Sequence, residues 1–519
     1  MSAIHRLVPP MQEGPLWGWL GPVFVAVLGG VLRFIDLGHP RAVVFDETYY
    51  AKDAYSLITF GVERETLGDA KDPIADRMLI AGNLDIWERC DTVEQCASYV
   101  AHPPLGKWMI GVGEWLFGMN PFGWRIAAAV IGTLSILILA RVARRMTRST
   151  LLGCFAGLLL ALDGLHFVLS RTALLDIFLM FWVLAGFACL VVDRDKARGR
   201  LVDWYETAPL TPEGPWLGIR PWRLAAGLCL GAACAVKWSG VFFLLAFAVL
   251  TLLWDAGARK AVGLREPYRG TWLRDVPTAL NALVVAPAVV YLASWTGWFA
   301  GDKGWGRNWE QATSSGPLFF VFDSLRSWLG YQVQVLGYHT SLTETHTYMS
   351  KPWQWPLLQR PLPFYWRDDL PPSSCGADKC VQAELAVGTP ALWFAAAFAL
   401  VGLIAWYVAN RDWRAGAVLL GYAAGWAPWI YYAVADNRTM YFFYMIPVVP
   451  FMVLAVTLMA GLALGRRDAP PVRRAAGAAG VGAYALVVLI NFWWLSPVLS
   501  AQTISHAQWW ARMLMRSWV

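Results

Sequence analysis

The chain has 519 residues, is 57% hydrophobic and only 15% charged, and carries 31 Trp. Soluble domains run at about one quarter charged residues, so this composition excludes a soluble globular or disordered protein and points to repeated membrane spans. The net charge of +7 is not clustered on any soluble face, so it gives no nucleic-acid reading.

Apolar segments near the ~20 residues that cross a bilayer recur along the chain. About eleven spans are expected, over 16–37, 122–141, 151–169, 174–192, 223–239, 240–256, 276–299, 391–409, 415–434, 440–464 and 475–496. The first lacks a small-residue cleavage site and runs on into RFIDLGHPRAVVFDE, as a retained span does. The short connections sort by charge. RVARRMTR, DRDKARGR, ARKAVGLREPYRGTWLRD, NRDWR and GRRDAPPVRR are rich in Arg and Lys, while SRTALLD, KWSG and ADNRTM carry one basic residue each. The positive-inside rule puts the first group and the N-terminus in the cytoplasm and the C-terminal tail outside.

Two long segments then lie outside, from about Gly38 to Pro121 and from about Ala300 to Thr389. The chain divides into a first membrane module (1–299) that includes the loop 38–121, a large exterior loop (300–389), and C-terminal spans with an exterior tail (390–519). The stretch PLGKWMIGVGEWLFG is short and contains Lys107 and Glu114. Counted as a span it would turn RVARRMTR outward, so it reads as an interfacial helix with Trp108 and Trp115 at headgroup depth. HTYMSKPWQWPLLQRPLPFYW has too many prolines for one helix. Cys154, Cys189, Cys229 and Cys234 fall in spans and read as small apolar residues. Cys90 with Cys96 and Cys375 with Cys380 lie outside, where disulfides form. Pairing within each couple is the simplest arrangement, and pairing between the loops stays open.

The chemistry-bearing residues gather at the exterior face. VVFDETYYAKDAY places Asp46 and Glu47 at the exit of the first span, where an acidic pair serves as general base, binds a cation, or merely opens a helix. HFVLSRTALLDIFLMFW puts His166, Arg171 and Asp176 at the next exterior turn. Ionisable residues at the edge of a span are costly, hence functional candidates, although Arg171 and Asp176 also suit a mutual structural pair. Lys237 and Arg438 stand alone at outer boundaries, placed either to snorkel to headgroups or to hold a lipid phosphate. His102 and Lys107 of AHPPLGKW join that group. A sugar leaving from a lipid phosphate needs no strong general acid. It needs one base for the attacking hydroxyl and cations for the departing charge, and this face offers both.

VVFDETYYAKDAY, HPPLGKW, LDGLHFVLSRTALLDIFLMF, AVKWSGVFF, YMSKPWQWPLL and NRTMYFFYMIPVVPF, in that order, resemble the hallmark segments of protein O-mannosyltransferases, a family of the GT-C membrane glycosyltransferases. The resemblance implies an all-α polytopic GT-C fold in a bacterial cytoplasmic membrane. It also implies inverting transfer of mannose from a polyprenyl-phosphate donor to Ser or Thr hydroxyls of exported polypeptides. Asp46 would then be the general base and Glu47 its support or an aid to acceptor placement. Arg171, Lys237 and Arg438 would hold the donor phosphate, with Asp176, His102, Lys107 and His346 in supporting or acceptor-binding places. The segment 300–389 is too short for the β-trefoil MIR domains of eukaryotic members. Asp46, Glu47 and Asp176 are oxygen ligands a divalent ion accepts, but the phosphate chemistry works with Arg and Lys, so no metal or other cofactor is expected. Two alternatives remain: a GT-C enzyme acting on a glycan or lipid, and a transporter of lipid-linked intermediates. Transporters carry internal repeats and ionisable groups near the midplane, and neither pattern is seen in this sequence.

Overall fold

The computed structural model describes residues 7, 9, 11, 14–69, 72–90, 96–207, 211–309, 319–465 and 468–519. Arg466 and Arg467 of the last basic connection lie outside these residues. The first span is α1 (Pro15–Phe34), whose buried positions Gly18, Pro22, Ala26, Gly29, Gly30 and Arg33 fall on one helical face. Small residues let that face approach its neighbours closely. A Cβ on Gly29 would stand 2.5 Å from Cδ1 of Ile136.

On the face of the bundle that carries the long loops lie α2 (Glu47–Phe60) and α3 (Leu105–Phe117), packed on each other. The helix α3 turns Lys107, Ile110, Gly111 and Glu114 inward and leaves Trp115 74% exposed. That one-sided burial agrees with a helix lying along the bundle rather than spanning. The membrane core follows as α4 (Pro121–Thr147), α5 (Thr150–Ala161), α6 (Gly164–Leu169), α7 (Leu175–Thr207), α8 (Pro221–Val236), α9 (Gly240–Ala261) and α10 (Pro267–Ser294). After the second loop come α12 (Pro390–Asn410), α13 (Trp413–Ala435), α14 (Phe442–Leu464) and α15 (Pro471–Leu499), α11 being the loop helix described below.

Among the described residues, eight helices are long and apolar enough to cross a membrane: α1, α4, α7, α9, α10, α12, α14 and α15. Of the other expected spans, those at 151–169 and 223–239 coincide with the shorter apolar helices α5 and α8, and that at 415–434 with α13. The apolar windows of α7 and α14 are 78% and 83% buried, against 11% for α15. Helices hydrophobic all round belong inside, so α7 and α14 form the centre and α15 the rim.

The loop face carries two features that the expected loop lacks. The second loop contains α11 (Phe319–Ser341), a 23-residue helix where the sequence predicts only loop. Beyond it, where closely spaced prolines block a helix, the chain turns extended. Here β1 (Leu362–Leu370), β2 (Cys380–Ala386) and β3 (Ile504–Ser505) form an antiparallel sheet in the order β1-β2-β3, with Leu362 opposite Ala386 and Cys380 opposite Ser505. Because β3 comes from beyond α15, the C-terminal segment and the second loop share one face. Disulfides join Cys90 to Cys96 and Cys375 to Cys380, each within its own loop, while Cys154, Cys189, Cys229 and Cys234 are free.

Candidate active site

Asp46 and Glu47 are adjacent in sequence but differ in their contacts. Glu47 begins α2 and is fully buried. Its Oε1 accepts from Arg125 Nε at 2.8 Å and from the Ala173 N–H at 3.0 Å. Its Oε2 accepts from Arg125 Nη2 and the Val44 N–H, both at 2.9 Å. Four donors satisfy the carboxylate, two of them from a bidentate guanidinium. The catalytic role expected of Glu47 therefore gives way to a structural one: it ties α2 to α4 and to the turn before α7. Asp46 occupies the N-cap position of α2, yet its side chain caps nothing. Among the described residues its carboxyl takes part in no hydrogen bond or ion pair. The preceding residue, Phe45, has a left-handed φ of +48°, an uncommon conformation for a bulky residue. Ring contacts hold it there, stacked on Phe364 at 4.7 Å and edge-on to Phe443 at 5.6 Å.

Asp46 stands beside a cleft of about 970 Å³, part of it open to the surroundings, between α7, α9, α11, α13 and the start of α14. Its polar end presents His102, Asp176, Lys237, His339 and Arg438, and its walls include Phe242, Trp429 and Tyr432. Lys237 Nζ pairs with Asp176 Oδ2 at 2.7 Å, so the mutual pair expected of Arg171 and Asp176 is replaced by one between α7 and the α8–α9 turn. Burial pushes the Asp46 carboxyl up to about 7, with Lys237 drawing it down and Asp176 raising it further.

Arg438 is placed by His339. Its Nε donates to the His339 carbonyl at 2.8 Å and its Nη2 lies 3.3 Å from His339 Nδ1. The guanidinium also sits over the Trp429 ring at 5.6 Å. Its buried Nη1 has no hydrogen-bond partner among the described residues, and neither does Nδ1 of His102. His102 stacks against His339 at 5.2 Å, and burial among Lys237, His339, Lys107 and Arg438 holds its imidazole well below the usual range, hence neutral. Buried polar atoms are ordinarily satisfied. Two unsatisfied donors or acceptors at one end of a cleft suit a polar ligand.

Three other expected residues are engaged elsewhere. Arg171 donates to the carbonyls of Arg33 at 2.8 Å, Ile35 at 2.7 Å and Asp36 at 2.9 Å. It closes the C-terminal end of α1, where helix carbonyls lack partners, and does not line the cleft. Lys107 is buried between Glu63, with which it forms a short hydrogen-bonded pair, and Asp53 at 3.6 Å. His346 is exposed, its Nδ1 accepting from the Tyr348 N–H at 3.1 Å and its ring edge-on to Tyr441. His166, buried, meets Arg33 Nη2 at 2.7 Å through Nδ1. No group of three or more His, Cys, Asp or Glu side chains among the described residues is placed to hold a metal ion.

The sequence reading passed over His339, which lies on the unexpected helix α11. It also passed over Arg125, although a lone Arg at the start of an apolar span is itself a signal. Glu384 was missed because it comes from a strand. Burial pushes its carboxyl up to about 7, and its Oε1 accepts from Thr172 Oγ1 at 3.0 Å behind the Glu47–Arg125 pair.

Residues 23–296 match the family described as dolichyl-phosphate-mannose-protein mannosyltransferase, and residues 324–518 match the C-terminal four-transmembrane region of protein O-mannosyltransferases. The chain is 40% identical to the polyprenol-phosphate-mannose–protein mannosyltransferase of Mycolicibacterium smegmatis strain MKD8, covering 99% of this chain and 96% of that one. It is 38% identical to that of Mycobacterium tuberculosis strain H37Rv, over 99% and 94%. The solved Saccharomyces cerevisiae protein O-mannosyltransferase Pmt1-Pmt2 complex bound to the sugar donor superposes with a TM-score of 0.72 at 14% identity, covering 99% of this chain and 94% of that one. The chain belongs to the protein O-mannosyltransferase family and has the helical membrane core of GT-C glycosyltransferases.

Proposed function

We propose that Asp46 is the general base in a transfer of mannose from polyprenyl-phosphate mannose to Ser or Thr hydroxyls of exported polypeptides, at the outer face of a bacterial cytoplasmic membrane. The observation that carries this reading is the contrast between the two acids: Glu47 has four donors, whereas Asp46 has no hydrogen-bond partner among the described residues and lies close enough to Lys237 and Asp176, at the polar end of the cleft, to feel their charges. The hydroxyl oxygen attacks the anomeric carbon and inverts it. The bond from that carbon to the phosphate oxygen breaks, and the hydroxyl proton passes to Asp46. The departing phosphate gathers charge, which Lys237 and the free Nη1 of Arg438 oppose. The aromatic and aliphatic wall beyond them, with Phe242, Leu336, Trp429 and Tyr432, suits the first isoprene units of the donor. Charge compensation by these cations leaves no step that calls for a metal.

Asp46→Asn, compared with wild type in membranes supplied with labelled polyprenyl-phosphate mannose and a Thr-rich peptide, tests the assignment. Loss of transfer at normal abundance supports it, and retained transfer moves the base elsewhere.

A further inference from the structure

We propose that the segment 342–347 of the second loop is itself a mannose acceptor, modified at Thr343, Thr345 or Thr347 by a neighbouring copy of this protein in the same membrane. The proposal rests on the transfer reading given above and adds a modification site to it. At the end of α11 the chain reads HTSLTETHT from His339 to Thr347, with five hydroxyl residues among nine. These hydroxyls fall into two groups. Thr340 and Ser341 belong to the helix and donate to its carbonyls, Thr340 to Leu336 at 3.0 Å and Ser341 to Tyr338 at 3.2 Å. Thr343, Thr345 and Thr347 lie beyond the helix, in a stretch without helix or strand. All three are exposed, and their hydroxyls have no hydrogen-bond partner among the described residues. Thr48 and Thr59, on the same face, are engaged instead. Thr48 donates to Asp76 Oδ2 and Thr59 to the Tyr55 carbonyl, both at 2.7 Å. A hydroxyl that is to attack must give its proton to a base rather than to a neighbour, and only the free group meets that condition as it stands.

The segment follows the rim of the cleft. Thr340 lines the cleft beside His339. The Leu342 carbonyl accepts from the Thr439 N–H at 2.9 Å and the Glu344 carbonyl from the Thr439 hydroxyl, one residue past Arg438. The His346 ring lies edge-on to Tyr441 at 5.4 Å. These contacts pin the main chain to its own rim. Thr343, Thr345 and Thr347 are not among the residues that line the cleft, so their exposed hydroxyls are offered to another molecule rather than to their own Asp46. A membrane holds every copy in one orientation. A segment on the rim of one molecule is therefore level with the cleft of the next, and lateral diffusion brings the two together. Lying outside helix and strand, the segment enters a second site without dismantling a ladder of main-chain bonds.

The chemistry is that of the exported acceptor. A Thr Oγ attacks the anomeric carbon of polyprenyl-phosphate mannose held by the second copy. The bond from that carbon to the phosphate oxygen breaks, the hydroxyl proton passes to the second copy's Asp46, and polyprenyl phosphate leaves.

The test expresses the full-length protein in membranes that contain polyprenyl-phosphate mannose and maps hexose within 342–347 by mass spectrometry. The same membranes are given a Thr-rich peptide. Wild type is expected to carry hexose in the segment, and Asp46→Asn expressed alone to carry none. A tagged Asp46→Asn co-expressed with wild type is expected to regain it. Changing Thr343→Val, Thr345→Val and Thr347→Val together is expected to abolish the hexose while the added peptide is mannosylated as by wild type. A wild type that mannosylates the peptide but leaves 342–347 bare overturns the proposal and spares the functional reading. Hexose on Asp46→Asn that is inactive on the peptide overturns it too, because another enzyme then supplies the sugar. A tagged recipient that stays bare beside modified wild type overturns transfer between copies. A wild type that mannosylates neither peptide nor segment overturns the functional reading and the modification site with it.

Discussion

Two clusters of charge sit at opposite ends of one helix and are satisfied to different degrees. Arg220 and Arg223 mark the start of α8 and Lys237 follows its end. At 1.5 Å per residue, that separates the two clusters by roughly 25 Å. At the Arg end, Arg220 reaches both Asp193 and Asp255, Arg223 reaches Asp255, and Arg259 forks onto Asp275 at 2.8 and 3.0 Å. Carbonyls of Glu213 and Pro215 take further Arg259 donors. These charges join α7, α8, α9 and α10. At the Lys end, Asp46, one nitrogen of Arg438 and one of His102 lack hydrogen-bond partners among the described residues. The comparison teaches that charge density does not distinguish a site from a brace. At the Arg end the groups pair with one another and hold helices together, and at the Lys end the unpaired groups stand at the polar end of a cleft.

The largest effect that would break this distinction is in the rate. Asp46→Asn should lower kcat about a thousandfold, within the range for removing a general base, without loss of folded protein. The sign for stability is favourable. Folding raises this carboxyl to about 7, so its stabilising contribution is full below an unfolded value of about 3.9 and lost as pH rises through 7. Asparagine carries no such penalty, and its melting temperature at pH 8 should equal or exceed wild type. Glu47→Gln should behave in the reverse way. It strands the buried Arg125 charge and should cost about 3 kcal/mol of stability, read by thermal unfolding in detergent. At the far end, Asp255→Asn strands two buried guanidinium groups and should also cost about 3 kcal/mol, with the folded fraction keeping wild-type donor and acceptor KM. A shift in either KM there would blur the two classes.

Smaller effects sharpen the comparison within the cleft. Arg438→Lys keeps the charge but loses the fork that binds His339 while leaving Nη1 free, and should raise the donor KM about tenfold. The smallest effect is on pH. Because Asp46 must be ionised to accept a proton, kcat/KM should rise with pH through a midpoint near 7. Asp176→Asn removes a charge that raises the Asp46 value and releases Lys237, which lowers it. The midpoint should therefore move down. A midpoint that stays in place would separate Asp176 from the base.

Hydropathy, a local property, places helices where the expected spans lie, and the close spacing of the exterior cysteines makes pairing within each couple the simplest arrangement, which the two disulfides follow. Asp46 was legible for the same reason, as an acid at the exit of a span. Partner choice was not. Arg125 lies 78 residues from Glu47, and Lys237 lies 61 from Asp176. Only the fold, which brings Arg125 at the start of α4 to the start of α2 and sets α7 beside the α8–α9 turn, decides that Glu47 is braced while Asp46 is open. Only the fold decides, too, that Asp176 takes Lys237 while Arg171 closes α1. The sequence by itself determined which groups would be costly in a membrane. The tertiary structure decided which of those costs are met by a neighbour and which are left for a substrate, because a charge is satisfied by whatever stands within about 3 Å of it, and that distance is set by the fold.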